Sequence, residues 1–325
     1  MNVLYTLDRG FEPQLIVSLN TIIKNTINQL NVFIIYDEIS NKSRENLRAL
    51  GNNRICITFL EAPEISKKLI PDRGNKSQYY RLFISDIFKD YLEVKRVIYI
   101  DCDTFINSTD IEELNDIDLQ NHPIGAVIDP WGSLYKELFN LQKTDMMFND
   151  GFFVIDLEKW RMNKLDEKMN LLIKSREHFV QADQGLLNEL VKGDFKILDP
   201  RFNVVTTYFE FSYNDLKIYR KPNNFYSENE ILSAIKNPVI IHFTSTFLEN
   251  RPWQENAGHP YQEMWMNELE KKGFNFEKVV RKSFKKENKI LQAIYNTLPH
   301  FLAIRILGIL QAYVRPLILK IKTRK

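Results

Sequence analysis

The chain has 325 residues, of which 44% are hydrophobic and 26% are charged, and its net charge is +2. This composition is typical of a globular protein with a full hydrophobic core and excludes a disordered chain. The two cysteines, Cys56 and Cys102, lie in apolar runs and indicate neither a disulfide framework nor a structural zinc site. Cys102 is expected to be a small packed side chain rather than a nucleophile. The first residues are strand-like, without the pattern of a signal peptide, so a cytoplasmic protein is expected.

Short apolar runs alternate with helical patterns at the start of the chain. Val3–Leu7, Val32–Tyr36 and Ile55–Phe59 have the composition of strands, whereas the segments 15–23 and 40–50 have helical spacing. This βαβαβ order predicts an α/β fold built on a largely parallel sheet with flanking helices.

A helix carrying Arg81 is predicted through Tyr79 and Ile87, followed by a buried central strand that ends at Asp101. The pattern beyond it predicts three further strands and one more helix. These are Ile124–Ile128, Phe152–Ile155, Val239–His242 and the helix Asp183–Val191. No repeat or low-complexity linker interrupts the first part of the chain, so residues 1–265 are expected to form a single catalytic domain.

Residues 266–325 differ in character and are predicted to form a basic helical tail. From Arg281 to Lys325 there are eleven lysine and arginine residues and one glutamate. An apolar stretch within it carries Arg305 and Arg315 and is expected to break at Pro316, which argues against a transmembrane helix. The pattern favours an amphipathic helix on an anionic membrane surface, with the protein attached peripherally to the cytoplasmic face. A helix docked on the catalytic domain or on a partner subunit is the alternative.

Asp101 and Asp103 follow the end of a predicted buried strand, where the chain turns and both carboxylates can reach one cation. A simple turn is the alternative, because Asp-x-Asp is a weak motif. His242 ends another predicted strand and adds an imidazole to the set. Two carboxylates and one imidazole suit Mn²⁺ better than Mg²⁺, which remains the alternative ion. Such an ion neutralises charge on a departing diphosphate.

The chain has no glycine-rich phosphate-binding loop after any strand. Nucleic acid is not expected as a partner, because the part outside the tail is net acidic and the tail interleaves its basic residues with leucine and isoleucine.

Several motifs, in this order, resemble glycosyltransferase family 8, the retaining group that includes bacterial lipopolysaccharide galactosyl- and glucosyltransferases and glycogenin. The similarity extends from Val3 to about Trp253. Its motifs are Leu4-Tyr5-Thr6-Leu7-Asp8, Tyr80-Arg81-Leu82, Val97 to Asp103, Phe148-Asn149-Asp150-Gly151-Phe152, Ala182-Asp183-Gln184-Gly185 and His242-Phe243-Thr244-Ser245 with Arg251-Pro252-Trp253. The resemblance implies a GT-A-type, Rossmann-like mixed sheet.

The resemblance also implies a role for each matching residue. Asp101, Asp103 and His242 would bind the metal. The donor nucleotide would contact the segment Leu4–Asp8, Arg81 and the segment that ends at Asp103. The implied donor-binding set is Thr6, Leu7, Asp8, Arg81, Asp101, Cys102, Asp103, Asn149, Asp183, Gln184, His242, Ser245 and Arg251. Within it, Asp183 would grip sugar hydroxyls, Gln184 would lie beneath the anomeric carbon, and Arg251 would bind the diphosphate where the family has lysine. Gly185 stands where the family has a third acid.

Each motif also has a structural alternative. Asn149 and Gly151 would then only make a turn, Asp183 would cap the helix that it begins, and Arg81 would pair with Asp86 or another surface acid.

The function expected from this resemblance is transfer of glucose or galactose from a UDP-sugar, with retention, to a glycan, lipid-linked or protein-linked acceptor in cell-surface glycan synthesis. Asp129 is expected to face the acceptor, with Trp131 either a sugar-stacking platform or a packed core residue. A non-catalytic UDP-sugar-binding protein is one alternative, supported by Arg9, Gly10 and Ser245 at positions where the family differs. A haloacid-dehalogenase-type phosphatase is another, disfavoured because Phe105 stands where that class has threonine or valine.

Overall fold

A computed structural model gives the fold of the chain. It describes residues 1–7, 10–36, 39–65, 69, 76–176, 179–255, 257–274, 279–280 and 286–322. Asp8, predicted to bind the nucleotide, lies outside these residues.

The main sheet has seven strands in the order β3-β2-β1-β4-β7-β6-β8, and a smaller sheet has the order β5-β10-β9. The first four strands of the main sheet's order run parallel, whereas β7 is antiparallel to both of its neighbours. The predicted α/β fold with a mixed sheet is therefore confirmed. The strands are β1 Asn2–Leu7, β2 Leu30–Tyr36, β3 Ile55–Glu61, β4 Arg96–Ile100, β5 Thr104–Ile106, β6 Ile124–Ile128, β7 Phe148–Asp156, β8 Lys196–Ile197, β9 Val204–Val205 and β10 Ile240–His242.

Helices cover the sheet and bury its apolar faces; along β4, for example, Val97 to Ile100 are fully buried. The helices are α1 Glu12–Asn25, α2 Asn41–Arg48, α3 Ile84–Ile87, α4 Ser133–Leu138, α5 Leu157–Met162, α6 Leu165–Ser175, α7 Ala182–Val191, α8 Thr206–Glu210, α9 Tyr213–Arg220, α10 Glu228–Lys236, α11 Gln262–Glu270, α12 Lys286–Thr297, α13 His300–Ile309 and α14 Arg315–Lys322.

The small sheet was not predicted, and it joins two parts of the chain that are far apart in sequence. Strand β5 follows the Asp-x-Asp turn at once, and its antiparallel pairing with β10 places His242 opposite Thr104. Because Thr104 adjoins Asp103, this register alone brings the imidazole to the carboxylates.

Three local predictions need correction. The segment 76–83 carrying Arg81 is a 3-10 helix followed by the short α3, rather than one α-helix. Asn149 and Gly151 lie inside β7 rather than in a turn. Pro316 does not break the C-terminal helix, because a π-helical turn at Leu310–Val314 precedes it and accommodates the backbone hydrogen bond that proline cannot donate.

The C-terminal helix, His300–Ile321, is long and apolar enough to cross a membrane by length and composition alone. One face packs on the rest of the protein, and 39% of its apolar stretch is buried. Gly308 lies so close to α9 that an added Cβ would be 2.4 Å from the carbonyl oxygen of Ile218. The opposite face exposes large apolar side chains. These include Phe301, Leu302, Ile306, Ile309, Tyr313, Val314, Leu317, Ile318 and Ile321.

Candidate active site

Asp101, Asp103 and His242 form a compact group at the ends of β4 and β10. One ligand atom from each lies within 4.8 Å of the others. The Nε2 atom of His242 is 3.3 Å from Oδ1 of Asp103 and 3.8 Å from Oδ2 of Asp101. The predicted metal ligands are thus brought together by the fold, with donor atoms of the types that suit a first-row divalent cation.

Gly151 allows this close approach. A Cβ atom at this position would lie 2.1 Å from Cε1 of His242 and 2.8 Å from Oδ2 of Asp101. Its carbonyl oxygen also accepts a hydrogen bond of 2.8 Å from the backbone amide of Asp101. Any side chain here would push the imidazole away from the carboxylates.

Asn203 sets the orientation of His242. Its Oδ1 lies 3.0 Å from Nδ1 of His242, and its Nδ2 donates to Oδ1 of Asn149 at 3.0 Å. Because Nδ2 of Asn203 is used by Asn149, its Oδ1 faces the imidazole and accepts the Nδ1 proton. This leaves the Nε2 lone pair directed at the carboxylates, the arrangement that metal-binding histidines adopt.

Arg81 is the buried counterion of three acids. Its Nη2 is 2.8 Å from Oδ1 of Asp101, its Nε is 3.0 Å from Oδ2 of Asp183, and its Nη1 donates to the carbonyl oxygen of Asp150 at 2.7 Å. Its guanidinium carbon lies 4.2 Å from the ring centroid of Tyr99. The alternative that Arg81 pairs with Asp86 is wrong. Its contact with the nucleotide sugar stays a prediction.

The acids around Arg81 have perturbed proton affinities. Burial raises the pKa of Asp150 well above its usual value, reinforced by the charge of Asp183. Burial also raises the pKa of Asp183, although Arg81 opposes the shift. Arg81 therefore compensates a cluster of acids that could not all ionise without it.

Asp103 differs from these acids. Burial alone would raise its pKa, but the contact with His242 and the charge of Arg251 outweigh burial and lower the pKa to about 2. Nη2 of Arg251 lies 3.0 Å from Oδ2 of Asp103. Arg251 is therefore beside the candidate metal site, as its predicted diphosphate role requires.

Gln184 and Asp129 are in direct contact. Nε2 of Gln184 donates to Oδ2 of Asp129 at 3.0 Å and to Oε1 of Gln181 at 2.9 Å. Both donor hydrogens of the amide are thus used, so the orientation of the Gln184 side chain is fixed. Gly185 stands where the family has an acid, and a Cβ here would lie 2.1 Å from the carbonyl oxygen of Val180. No side chain fits at this position.

At the predicted nucleotide end, the described residues are mostly engaged in packing. Oγ1 of Thr6 lies 2.9 Å from the Tyr99 hydroxyl, and the Thr6 carbonyl oxygen accepts the thiol of Cys102 at 3.2 Å. Leu7 is buried and Ser245 is exposed. The expectation that Cys102 is a small packed side chain is consistent with this geometry.

Two of the open alternatives are excluded by the structure. Trp131 is only 6% exposed, with the guanidinium carbon of Arg220 at 4.0 Å from its ring centroid and the Tyr135 ring centroid at 4.2 Å. The interpretation of Trp131 as a sugar-stacking platform is therefore wrong, since the ring is packed. Asp183 does not cap α7, because Gln181 occupies the N-cap position.

Sequence reasoning missed Asn203, Asp150 and Tyr99, whose hydroxyl donates to Oδ1 of Asp101 at 2.7 Å. Tyr99 and Asp150 lie inside motifs that were recognised, so the motifs themselves could have suggested them. Asn203 is the last residue of a short 3-10 helix, Pro200–Asn203, and no spacing or periodicity marks it.

The fold is that of the GT-A glycosyltransferases. The galactosyltransferase LgtC, solved in complex with donor and acceptor sugar analogues, superposes with a TM-score of 0.64 at 19% identity, covering 83% of this chain and 96% of LgtC. The apo form of the glycosyltransferase GlyE from Streptococcus pneumoniae gives a TM-score of 0.55 at 18% identity, covering 86% of this chain and 61% of GlyE.

The family model for glycosyl transferase family 8 matches residues 2–257, and the chain belongs to this family. General stress protein A of Bacillus subtilis is 32% identical over 59% of this chain and 64% of its own length, slightly less than two thirds. Lipopolysaccharide 1,2-glucosyltransferase of Escherichia coli is 24% identical over 80% of this chain and 75% of its own length. This membership sets aside the phosphatase alternative.

Proposed function

We propose that the protein is a metal-dependent retaining hexosyltransferase that moves glucose or galactose from a UDP-sugar to a glycan, lipid-linked or protein-linked acceptor hydroxyl. The observation that supports this most directly is the group of Asp101, Asp103 and His242, with Nε2 of the imidazole directed at both carboxylates. The name of the Escherichia coli relative, a lipopolysaccharide glucosyltransferase, supports a role in cell-surface glycan synthesis.

The residues of this group fit a divalent cation. Gly151 leaves room for the three side chains to converge, and Asn203 holds His242 in the tautomer that can coordinate. Mn²⁺ is the ion proposed, with Mg²⁺ as the alternative. When bound, the ion would supply positive charge to the diphosphate of the leaving UDP.

The chain's own residues would perform the remaining steps. Arg251, adjacent to Asp103, would add a second positive charge where negative charge develops on the departing diphosphate. Asn149, whose Oδ1 is engaged by Asn203, has Nδ2 available to the donor sugar among the described contacts. Asp183 would bind sugar hydroxyls from its position beside Arg81.

Gln184 is a poor nucleophile, so we favour a same-face reaction through a short-lived oxocarbenium ion pair over a covalent glycosyl-enzyme. Its Nε2 is held by Asp129 and Gln181, which leaves Oε1 to face the anomeric carbon. Asp129 would then lie at the boundary between the donor sugar and the acceptor hydroxyl.

The test is UDP release from UDP-glucose and UDP-galactose with Mn²⁺, with and without EDTA. Asp103→Asn is expected to reduce the rate at least about a hundredfold, because one ligand of the cation is weakened. Asp116→Asn, a matched change at an exposed acid, should leave it unchanged. Full activity of Asp103→Asn would refute the metal assignment. If the protein binds UDP-sugars but releases no UDP with any acceptor tested, the non-catalytic alternative would be favoured instead.

We also propose that the C-terminal helix attaches the protein to the cytoplasmic face of an anionic membrane while its other face stays docked. Phe301 and Ile309 are 59% and 50% exposed, and they belong to a continuous apolar face flanked by exposed Arg305. Apolar burial together with basic residues is the combination that holds interfacial helices at anionic lipid. Residues 1–265 would then be the catalytic domain and 266–325 the membrane-associating segment.

Liposome flotation tests this attachment. Ile309→Asp should reduce binding to vesicles of phosphatidylglycerol and phosphatidylcholine at least about tenfold, because it places a charge at the apolar boundary. Leu232→Asp, at a residue 53% exposed on α10, is the matched control and should bind like the wild type. Equal binding of wild type and Ile309→Asp would contradict the proposal.

A further inference from the structure

Arg220, at the end of α9, lies over the Trp131 ring, with its guanidinium carbon 4.0 Å from the ring centroid. The backbone of the neighbouring loop fixes this contact. A Cβ on Gly132 would lie 2.9 Å from the carbonyl oxygen of Lys221 and 3.2 Å from that of Arg220. The guanidinium therefore has a defined position beside the loop that follows β6.

This cluster contains several buried polar atoms without a hydrogen-bond partner among the described residues. They are Nε and Nη1 of Arg220, Nε1 of Trp131 and the hydroxyl of Tyr135. Trp131 and Tyr135 are 6% and 1% exposed. A buried donor with no acceptor costs about 1–3 kcal/mol, so four such atoms around one arginine indicate a place where a ligand supplies acceptor oxygens.

The C-terminal helix forms the other side of this cluster. Leu319 packs against the apolar group that contains Trp131 and Tyr135. Nζ of Lys320 lies 3.8 Å from Oε2 of Glu137 on α4. Arg315, exposed on the same helix, acts electrostatically on Tyr135 together with Arg220. Two arginines from distant parts of the chain thus act electrostatically on one buried hydroxyl.

The cluster adjoins the proposed reaction centre. Trp131 is two residues after Asp129, and the backbone amide of Trp131 donates to the carbonyl oxygen of Asp129 at 2.8 Å. Asp129 in turn accepts from Gln184. A molecule that presents a hydroxyl near Asp129 therefore extends naturally toward Arg220 and the C-terminal helix.

We propose that Arg220 and Arg315 form an acceptor subsite that binds an anionic group, a phosphate or diphosphate on the acceptor saccharide, at the junction of the catalytic domain and the C-terminal helix. Arginine suits this task because its planar fork donates two parallel hydrogen bonds to phosphate oxygens. The subsite rests on the proposed function, and it names the acceptor class as a phosphorylated saccharide. Its place beside the exposed apolar helix face fits an acceptor whose phosphate joins it to a lipid.

Nearby acids do not neutralise these two arginines by direct pairing. Arg220 acts electrostatically on Glu210, and Arg220 and Asp129 both act on Tyr208. In the described part of the chain, however, neither acid forms an ion pair with Arg220. Oε1 of Glu210 accepts instead from Thr246 at 2.6 Å and from Asn250 at 2.9 Å. Arg315 donates only to a neutral group, Oε1 of Gln311, at 3.3 Å among the contacts described.

The test compares the binding of glucose with glucose 6-phosphate, and of galactose with galactose 6-phosphate, by saturation-transfer NMR with UDP and Mn²⁺ present. The phosphorylated sugar should bind the full-length wild type at least about tenfold more tightly. Arg220→Gln and Arg315→Gln should each remove most of this preference. Lys217→Gln, an exposed position on the same helix as Arg220, is the matched control and should keep it.

Equal affinities in the wild type, or no binding of either sugar, would overturn the subsite. A preference that survives in both arginine variants would also overturn it, because the phosphate would then be bound elsewhere, such as at the metal. Arg315→Gln is informative even if Arg220→Gln folds poorly, since Arg315 is exposed. The binding experiment needs no turnover. Failure of UDP release would therefore count against the proposed function, whereas the preference for the phosphorylated sugar tests the acceptor subsite independently.

Discussion

At the scale of single residues, the candidate metal site depends on two neighbouring residues that are not themselves ligands. Gly151 provides space for the imidazole, and Asn203 sets its tautomer. Each acts on His242 through geometry, so each can be tested without changing a ligand.

Gly151→Ala should reduce UDP release at least about tenfold and weaken Mn²⁺ binding, because the added methyl would lie 2.1 Å from Cε1 of His242. Mn²⁺ affinity measured by electron paramagnetic resonance gives a readout independent of turnover. Gly258→Ala is the control, since the nearest atom to its Cβ, Oδ1 of Asn250, is 3.8 Å away. Unchanged Mn²⁺ affinity in Gly151→Ala would mean that His242 is not a ligand.

Asn203→Leu should weaken Mn²⁺ binding by about 10–100-fold, because the Nδ1 proton of His242 loses its acceptor and the ring loses its fixed orientation. Asn203→Asp keeps an acceptor oxygen and should retain most of the affinity. The comparison of these two variants separates orientation from folding. Equal Mn²⁺ affinities would show that Asn203 has no positioning role.

At the scale of elements, the loop that carries Ser245 and Arg251 is fastened from two sides. Glu210, at the end of α8, accepts from Thr246 and Asn250. From α12, Nδ2 of Asn288 donates to Glu249 at 2.7 Å, and Nε2 of Gln292 donates to the carbonyl oxygen of Phe247 at 2.8 Å. The C-terminal segment therefore contacts the loop that carries the proposed diphosphate arginine.

Glu210 should make stability depend on pH. Burial raises its pKa from 4.5 to about 7, so the folded protein holds a proton that the unfolded chain releases at lower pH. The free energy of unfolding should therefore fall as the pH rises from about 4.5 to about 7, by up to roughly 3 kcal/mol. Glu210→Gln should remove this part of the slope. Urea midpoints at about pH 5 and about pH 8 measure it, and parallel profiles for wild type and variant would contradict the assignment.

The elements differ in how far the sequence predicts them. Strands such as β2 and β4 were predicted because four or more consecutive apolar residues mark a buried strand. The predicted strand Val239–His242 contains β10, but β5 and β9 have only three and two residues, too few for a pattern. The small sheet and the register that places His242 beside Asp103 were therefore not predicted. The residues of the candidate metal site could thus be named from the sequence, but the strand pairing that brings them together could not.

At the scale of the whole molecule, charge and apolar surface are unevenly distributed. The basic residues from 281 onward contrast with the net acidic remainder of the chain. The exposed apolar face of the C-terminal helix lies on the side opposite to the face that packs on α9. This arrangement would bring the cluster of Trp131, Arg220 and Arg315 near the membrane surface once the helix is bound.

Membrane binding should therefore have two separable components. Raising the salt concentration from about 50 mM to about 500 mM shortens the Debye length to a few ångströms and should weaken binding to anionic vesicles, leaving the apolar component. Arg305→Gln should weaken binding to anionic vesicles by roughly fivefold, since each basic residue near the surface contributes about 1 kcal/mol, and should not change binding to neutral ones. Ile318→Asp, by contrast, should weaken both. Flotation assays measure the bound fraction of each protein at both salt concentrations, with anionic and with neutral vesicles. A salt-independent interaction with anionic vesicles would show that the basic residues do not contribute and that the helix binds through its apolar face alone.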